Sequence, residues 1–166
     1  LAMESYYSLS NSSVLTAEVS RQVKKNTIAT GCCFAEVEVD MKLGQIKVLH
    51  IINVHDSGKL LNPQLAEMQV HGGMSMGMGY GLSEQLILDE KTGRLLNGNL
   101  LDYKLMTALD TPDIKAGFVE LDDPMGPYGN KALGEPPAIP SAPAIRNAVL
   151  HATGVAFNEN PLTPQR

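Results

Sequence analysis

The chain has 166 residues, of which 43% are hydrophobic and 19% charged, and its formal net charge is −5 at pH 7. This length suits one domain with a real hydrophobic core. The acidic balance argues against nucleic-acid binding, which needs a basic stripe, and no apolar run approaches the length of a membrane span. The chain starts at Leu1 without an initiator methionine or a signal-peptide pattern, so we expect a piece of a longer polypeptide.

The two cysteines, Cys32 and Cys33, are adjacent. Without a CxxC motif or a further cysteine they cannot build a zinc site or an iron–sulfur cluster. They are predicted to be buried, reduced thiols of a cytoplasmic protein. The four histidines are scattered without HExxH or HxH spacing, so they predict no metal triad.

Residues 1–26 are polar and weakly periodic, and we expect them to form an extended arm that packs on something larger. A β-hairpin is predicted next, from about Phe34 to Val54, with its turn at 41–44. Apolar and acidic residues alternate from Ala35 to Asp40, the pattern of a half-exposed strand. The second strand is predicted to place its even-numbered apolar residues on one face: Ile46, Val48, Ile52 and Val54.

A helix is predicted from Pro63 to Leu82, with Asn62 as the N-cap and proline in the first turn. Its packed face is predicted from three- and four-residue steps: Leu65, Met68, Gly72, Met76, Gly79 and Leu82. Each interior glycine costs about 1 kcal/mol against alanine, so this helix must be held by packing against something very close to its backbone. Its methionines suggest burial on several sides: Met68, Met74, Met76 and Met78.

The rest of the chain predicts further strands, loops and one helix. Two short strands should flank a turn at 90–93, and a strand should run from Ile114 to Leu121. A helix is predicted from Ser141 to Thr153, with Gly154 as its stop signal. Its inward residues should be Ile145, Ala148, Val149 and Ala152. The fold class is therefore α+β, with an arm (1–26), a core (27–154) and a polar tail (155–166).

Glu135 lies between Gly134 and the pair Pro136-Pro137. Proline keeps the preceding residue out of the α region, and two prolines in series fix two φ angles and remove two amide donors. Glu135 is therefore predicted to sit on a short stiff loop ahead of the second helix, where it could act as a base. Taken by itself, the pattern also fits an ordinary solvated loop glutamate.

The string that carries Glu135, KALGEPPAIPSAPAIRNAVLHATG (131–154), resembles the C-terminal segment of the molybdenum hydroxylases, the xanthine dehydrogenase and aldehyde oxidase family. Three further strings also look like that family: GCCFAEVEVDMKLGQIKVLHIINVHDSGKLLNPQLAEMQVHGGMSMGMGYGLSEQ, NGNLLDYKLMTALDTPDI and DPMGPYGNKALGEPP. The resemblance runs from about Thr27 to Gly154. Within the family, it is strongest to the molybdenum-binding subunit of bacterial xanthine dehydrogenases.

The resemblance implies roles for three residues. The glutamate of the GEPP motif, here Glu135, is the active-site base beside molybdenum. The glutamine of the Q-V-x-G pattern, here Gln69, hydrogen-bonds the pterin, and an amide suits a pterin edge because it both donates and accepts. Lys131, in the K-A-x-G-E pattern, is placed near the pterin. From the residues alone, Gln69 is an ordinary exposed helix residue and Lys131 half of a solvated pair with Glu135.

The resemblance also implies the reaction, which is hydroxylation of a carbon with water as the oxygen source. The expected substrate is a purine such as xanthine or hypoxanthine, and the cofactor is molybdenum-molybdopterin, commonly in its cytosine dinucleotide form. Electrons would pass through 2Fe-2S and FAD centres to NAD. Those centres would lie on other domains or subunits, so the expected partners are the rest of the molybdenum-binding subunit and the iron–sulfur and FAD subunits of an oligomer.

Two other interpretations remain open. An aldehyde- or nicotinate-type hydroxylase of the same family shares the GEPP motif, and the family's substrate-orienting arginine and second glutamate lie upstream of this chain. A non-catalytic scaffold module is the alternative of another class, although the joint presence of Gln69, Lys131 and Glu135 argues against it. Alone, the chain should be inactive and should expose apolar surface that a larger domain covers.

Overall fold

The computed structural model describes residues 17–20, 22 and 25–165. Most of the predicted arm, namely residues 1–16, 21, 23 and 24, lies outside the described residues. The described residues of that stretch contain no helix or strand. Across the described part of the chain, no helix has both the length and the apolar character that a membrane crossing requires.

In the described part of the chain, a three-stranded mixed sheet is packed with two helices. Strands β1 (Thr30–Asp40) and β2 (Gln45–Asp56) form the predicted antiparallel hairpin, and β3 (Asp113–Phe118) pairs with β2 in parallel. The helices are α1 (Pro63–Leu82) and α2 (Ser141–Thr153), and a short 3₁₀ turn spans Pro127–Gly129. Separate helices beside a mixed sheet confirm the α+β class.

A β-bulge interrupts the hairpin at Leu49. Glu36 on β1 pairs with His50, and the next residue, Val37, pairs with Val48. Leu49 is therefore left over on β2 with no residue opposite it. Such an extra residue reverses the in-and-out alternation of the strand beyond it.

The bulge moves the buried face of β2 from even to odd positions. Beyond it, Ile51, Asn53 and His55 are buried. Ile52 is 39% exposed and Val54 is only half-buried. The prediction that Ile52 and Val54 share one face with the earlier even positions is therefore wrong, because the sequence pattern assumed an unbroken two-residue period.

Helix α1 begins and ends where the sequence predicted. The side chain of Asn62 accepts a hydrogen bond from the Leu65 amide at 3.1 Å, as an N-cap should. Four residues of the predicted packed face are exposed: Leu65, Met68, Gly72 and Met76. The prediction holds only for Gly79, which is buried, and Leu82, which packs against the core. The buried face is instead formed mainly by small residues and two methionines: Ala66, Val70, Gly73, Met74, Gly77, Met78, Gly79 and Gly81.

Glycines on α1 allow the chain around the start of α2 to approach the helix backbone. A Cβ added at Gly73 would lie 2.7 Å from Pro137 Cβ, and one at Gly77 would lie 2.5 Å from the Ala138 carbonyl oxygen. Both distances are shorter than any normal carbon contact. The predicted close packing against the α1 backbone is thus confirmed, and its partner is the segment that carries Glu135.

Helix α2 ends at Gly154, which adopts a left-handed φ of 74°. Its buried residues are Ser141, Ile145 and Val149. Ala148 is half-buried and Ala152 is exposed, so the inward face is narrower than the sequence predicted. The chain after α2 returns to the core.

That return is made by Leu162. Its side chain is buried in the core, and its amide donates a hydrogen bond to the Gly81 carbonyl at 2.7 Å. The end of α1 is therefore covered by residues from the polar C-terminal tail.

The segment between α1 and β3 is irregular. The two strands predicted around the turn at 90–93 reduce to a single antiparallel bridge between Leu88 and Leu95, and β3 ends at Phe118 rather than Leu121. Many large apolar side chains in this segment are exposed: Leu86, Ile87, Leu88, Leu95, Leu96, Leu100, Leu101, Leu105 and Leu109. Groups of exposed apolar side chains are typical of interaction sites.

The two cysteines are free thiols in different environments. Burial raises the pKa of Cys33 to about 11, so its thiol stays protonated and inert near neutral pH. Cys32 is exposed, and the expectation that both thiols are buried is wrong for it. The difference follows from the strand, whose neighbouring side chains point to opposite faces.

Replacement of Gly77 by alanine should destabilise the fold, because the new methyl group would meet the Ala138 carbonyl and the Ser141 side chain. Overpacking of this kind costs about 1–3 kcal/mol, against a gain of about 1 kcal/mol in helix propensity. The matched control is Gly72→Ala on the same helix, where a Cβ would meet nothing within 4 Å. Urea-unfolding midpoints followed by circular dichroism should fall for Gly77→Ala and stay or rise for Gly72→Ala. Equal midpoints would contradict the close approach.

Candidate functional site

Glu135 begins a tight turn built on two prolines. The amide of Ala138 donates to the Glu135 carbonyl at 2.9 Å, which closes a β-turn with Pro136 and Pro137 at its centre. Pro137 is buried, whereas Glu135 is exposed. The stiff loop predicted from the prolines is therefore present, and the carboxylate is presented at its outer side.

Three side chains bind the carbonyl groups of this turn. Gln69 on α1 donates from Nε2 to the Gly134 carbonyl at 2.9 Å. Asn53 on β2 donates from Nδ2 to the Pro137 carbonyl at 2.9 Å, and the Ser141 hydroxyl donates to the same carbonyl at 3.2 Å. The backbone on each side of Glu135 is thus fixed by a side-chain amide from a different element.

One face of α1 supplies most of this contact. Gln69, Gly73 and Gly77 are spaced four residues apart, so they lie above one another on the helix. In that order they contact Gly134, Pro137 and Ala138. The helix therefore holds the whole turn, from the carbonyl before Glu135 to the entry of α2, and we call this arrangement the turn clamp.

Lys131 lies near the start of the same loop and is paired with Asp56. Its Nζ is 2.6 Å from Asp56 Oδ2, and the two side chains are only 11% and 16% exposed. The Lys131 amide also donates to the Ser57 carbonyl at 2.7 Å. This pair joins the end of β2 to the Glu135 loop, so Lys131 does not form the solvated pair with Glu135 that its spacing suggested.

The electrostatics of the pair follow from these hydrogen bonds. The bond from Lys131 is the main cause that holds the pKa of the Asp56 carboxyl below its usual value, and the Gly58 amide, 3.0 Å from Oδ1, adds to it. Asp56 is therefore ionised near neutral pH, and the Lys131 charge is largely compensated within the protein.

Gln69 and Lys131 line one cleft of about 250 Å³, together with Ser57, Asn62, Leu65 and Leu133 among others. The Ser57 hydroxyl is buried and has no hydrogen-bond partner among the described residues. An amide, an ammonium and a free hydroxyl in one cleft form a donor-rich set that fits the polar edge of a pterin. Ligand pockets usually measure about 300–1,000 Å³, so this cleft is too small for a whole cofactor and has the size for one edge of it.

Sequence reasoning missed Asn53 and Asp56. The available signal was a polar residue inside or at the end of an apolar strand, which needs a partner when buried. His55 lies between them, fully buried, and its burial lowers the pKa of the imidazole. Within the described residues, no three His, Cys, Asp or Glu side chains are grouped so that they could hold a metal ion.

Comparison with known proteins gives consistent matches. Residues 1–112 match the sequence model of a family described as the molybdopterin cofactor-binding domain. The chain is 52% identical over 166 residues to the putative xanthine dehydrogenase molybdenum-binding subunit XdhA of Escherichia coli K12, covering 100% of this chain and 22% of that protein. It is 34% identical over 146 residues to the aldehyde oxidoreductase molybdenum-binding subunit PaoC of the same organism, covering 87% of this chain and 20% of that protein.

A solved structure agrees with these matches. The fold resembles quinoline 2-oxidoreductase from Pseudomonas putida 86 with a TM-score of 0.73 and 34% identity, over 78% of this chain and 17% of that one. The chain thus spans about a fifth of the length of the curated relatives it matches.

Replacement of Lys131 by methionine should destabilise the fold by about 1.5–3 kcal/mol, the usual contribution of a hydrogen bond to a charged group. Because the folded-state pKa of Asp56 is lowered, its contribution is present above the ordinary aspartate pKa of about 3.9 and is lost as the pH falls through the lower folded value. The difference in unfolding free energy between wild type and variant should therefore be constant near neutral pH and shrink in acid.

The matched control is Lys115→Met. Lys115 lies 3.4 Å from Asp113 in an exposed pair, and exposed pairs contribute only about 0–1 kcal/mol. Urea titrations at several pH values measure both variants. A Lys131 variant that behaves like the control would show that the Asp56 pair does not anchor the loop.

Proposed function

This chain belongs to the molybdopterin cofactor-binding domain family, and on that premise we propose that it is the part of a molybdenum-dependent hydroxylase that supplies the catalytic base. The proposal rests on the placement of Glu135, whose proline-containing turn is held by side chains from α1 and β2. The 52% identity to a xanthine dehydrogenase subunit supports a purine such as xanthine or hypoxanthine as the substrate. An aldehyde-type hydroxylase is the second candidate, favoured by the 34% identity to the aldehyde oxidoreductase subunit.

Glu135 meets the requirements of a general base. Its carboxylate is exposed and makes no hydrogen bond or ion pair with another described residue, so its oxygens are open to a reacting group. In the proposed reaction, the carboxylate accepts the proton of the water-derived oxygen that attacks the substrate carbon, and then passes it to solvent. The fixed backbone on both sides of Glu135 limits the entropy lost when the carboxylate is placed for this transfer.

A molybdenum-molybdopterin cofactor, when bound, supplies the two-electron redox chemistry of the hydroxylation. Gln69 and Lys131 are the residues we propose to hold its edge, with Ser57 beside them in the cleft. Gln69 uses one N–H on Gly134 and keeps a second N–H and the Oε1 acceptor. The Lys131 ammonium keeps N–H donors beyond the one that Asp56 accepts. Because Asp56 compensates its charge, Lys131 offers the cofactor a hydrogen-bond donor and not a free positive charge.

The remaining parts of the proposal concern the complete enzyme. The pterin is proposed in its cytosine dinucleotide form, and the electrons pass to NAD through 2Fe-2S and FAD centres on other domains or subunits. The partners are the rest of the molybdenum-binding subunit and the subunits that carry those centres. The exposed leucines between α1 and β3 support contact with further protein, and we propose a cytoplasmic oligomer.

Replacement of Glu135 by glutamine, made in the complete enzyme, tests this function. Glutamine keeps the size and hydrogen bonding of the side chain but cannot accept the proton, so turnover should fall by about 10²–10⁴-fold, the usual contribution of acid–base catalysis. Molybdenum content should stay near that of wild type, and reduction of molybdenum in a single turnover should slow in parallel with steady-state turnover.

The control is Glu90→Gln, which makes the same change at an exposed turn residue far from Glu135 in the sequence. This variant should leave activity unaltered. A Glu135 variant that keeps more than about a tenth of wild-type activity with full metal content would rule out the assignment. Loss of molybdenum instead would make Glu135 a structural residue of the site.

A further inference from the structure

We infer that Gln69 is a positioning residue for Glu135, acting through the carbonyl of Gly134, as well as a contact for the cofactor. The inference rests on the proposed function, since it assigns Gln69 a second role at the same site. Its basis is the 2.9 Å hydrogen bond from Gln69 Nε2 to the carbonyl directly before Glu135. One amide thereby touches both the cleft and the turn that carries the base.

The two sides of Glu135 are restrained by different means. After Glu135, the backbone is fixed by two proline rings, by Asn53 on the Pro137 carbonyl, and by close contact with Gly73. The residue before Glu135 is Gly134, and a Cβ added there would meet nothing within 4 Å, so no packing restrains it. Glycine is the residue with the greatest backbone freedom, so the φ and ψ angles that aim Glu135 depend on whatever holds the Gly134 carbonyl, which is Gln69.

The chemistry of an amide makes the two roles compatible. A glutamine side chain has two N–H donors and an acceptor oxygen, and the bond to Gly134 uses one donor. The acceptor and the second donor remain for a ligand in the cleft that Gln69 lines. A cofactor edge bound there restrains the rotation of the amide, and the restrained amide keeps its bond to Gly134. Cofactor binding and the aim of the glutamate are therefore coupled through one side chain.

The test uses two replacements of Gln69 in the complete enzyme. Gln69→Met gives a side chain of about the same length without any polar atom. Gln69→Lys keeps a donor that can reach the Gly134 carbonyl but has no acceptor. Glutamine, methionine and lysine have similar helix propensities, so α1 itself is not weakened. Gln64→Met, an exposed position on the same helix, makes the same change away from the turn.

Hydrogen exchange of the Ala138 amide is the readout that does not depend on activity. That amide donates to the carbonyl of Glu135 itself, so a Glu135 that shifts when Gly134 is released also loosens this bond. Pro136 and Pro137 contribute no amide hydrogen, so a peptide over 134–138 reports mainly on the turn. In Gln69→Met, exchange at Ala138 should speed up by about 5–30-fold, the factor that loss of one good hydrogen bond gives. Gln64→Met should match wild type, and Gln69→Lys should recover most of the protection.

Steady-state kinetics supply the second readout. A misaimed base lowers kcat, and errors of about 1 Å can cost about 10²-fold, so Gln69→Met should lose about 10–100-fold in kcat per bound cofactor with KM nearly unchanged. Gln69→Lys should regain part of that kcat. Unchanged Ala138 exchange in Gln69→Met would overturn the inference, as would failure of Gln69→Lys to restore protection. Neither result bears on Glu135 as the base, since that role is judged by the activity of the Glu135→Gln variant.

Discussion

The close approach between the backbone of α1 and the turn at 134–138 is the contact on which the candidate site depends. It exists because Gly73 and Gly77 have no side chain where Pro137 and Ala138 lie. Glycines are unfavourable inside a helix, and here that unfavourable term is compensated by a contact no other residue would allow. With the turn seated against α1, Gln69, one helical turn earlier, reaches the Gly134 carbonyl.

The sheet also holds the segment that carries Glu135. The bulge at Leu49 turns Asn53 inward, where its amide binds the Pro137 carbonyl. At the end of the same strand, Asp56 holds Lys131 and with it the start of the loop. The segment that carries Glu135 is therefore attached to β2 at two places and to α1 along its length, while the carboxylate itself remains exposed. A rigid support with a free reactive group is the arrangement that positions a catalytic base well.

Patterns among neighbouring residues predicted the helices, strands and turns, but they did not predict contacts between residues far apart in the sequence. The start of α1 followed from Asn62 and Pro63, and the end of α2 from Gly154, because caps are decided by neighbouring residues. The stiff turn at Glu135 followed from its prolines for the same reason. The packed face of α1 was missed because the largest side chains were assumed to point inward, whereas the glycines mark the close contact.

The bulge and the Asp56–Lys131 pair show the same limit. An extra residue in one strand leaves no signature in an alternating pattern until the partner strand is known. The partner of Lys131 lies 75 residues away in sequence, so its four-residue spacing from Glu135 was misleading. The family resemblance gave Gln69, Lys131 and Glu135 as candidate residues, but it did not contain the hydrogen bonds that place them.

A crystal structure of the complete cofactor-loaded subunit tests the turn clamp most directly. We expect Gln69 Nε2 to lie about 2.9 Å from the Gly134 carbonyl and Asn53 Nδ2 about 2.9 Å from the Pro137 carbonyl, with the Gln69 acceptor oxygen directed to the cofactor. A structure in which Gln69 is turned away from Gly134 while the Glu135 turn keeps its position would contradict it.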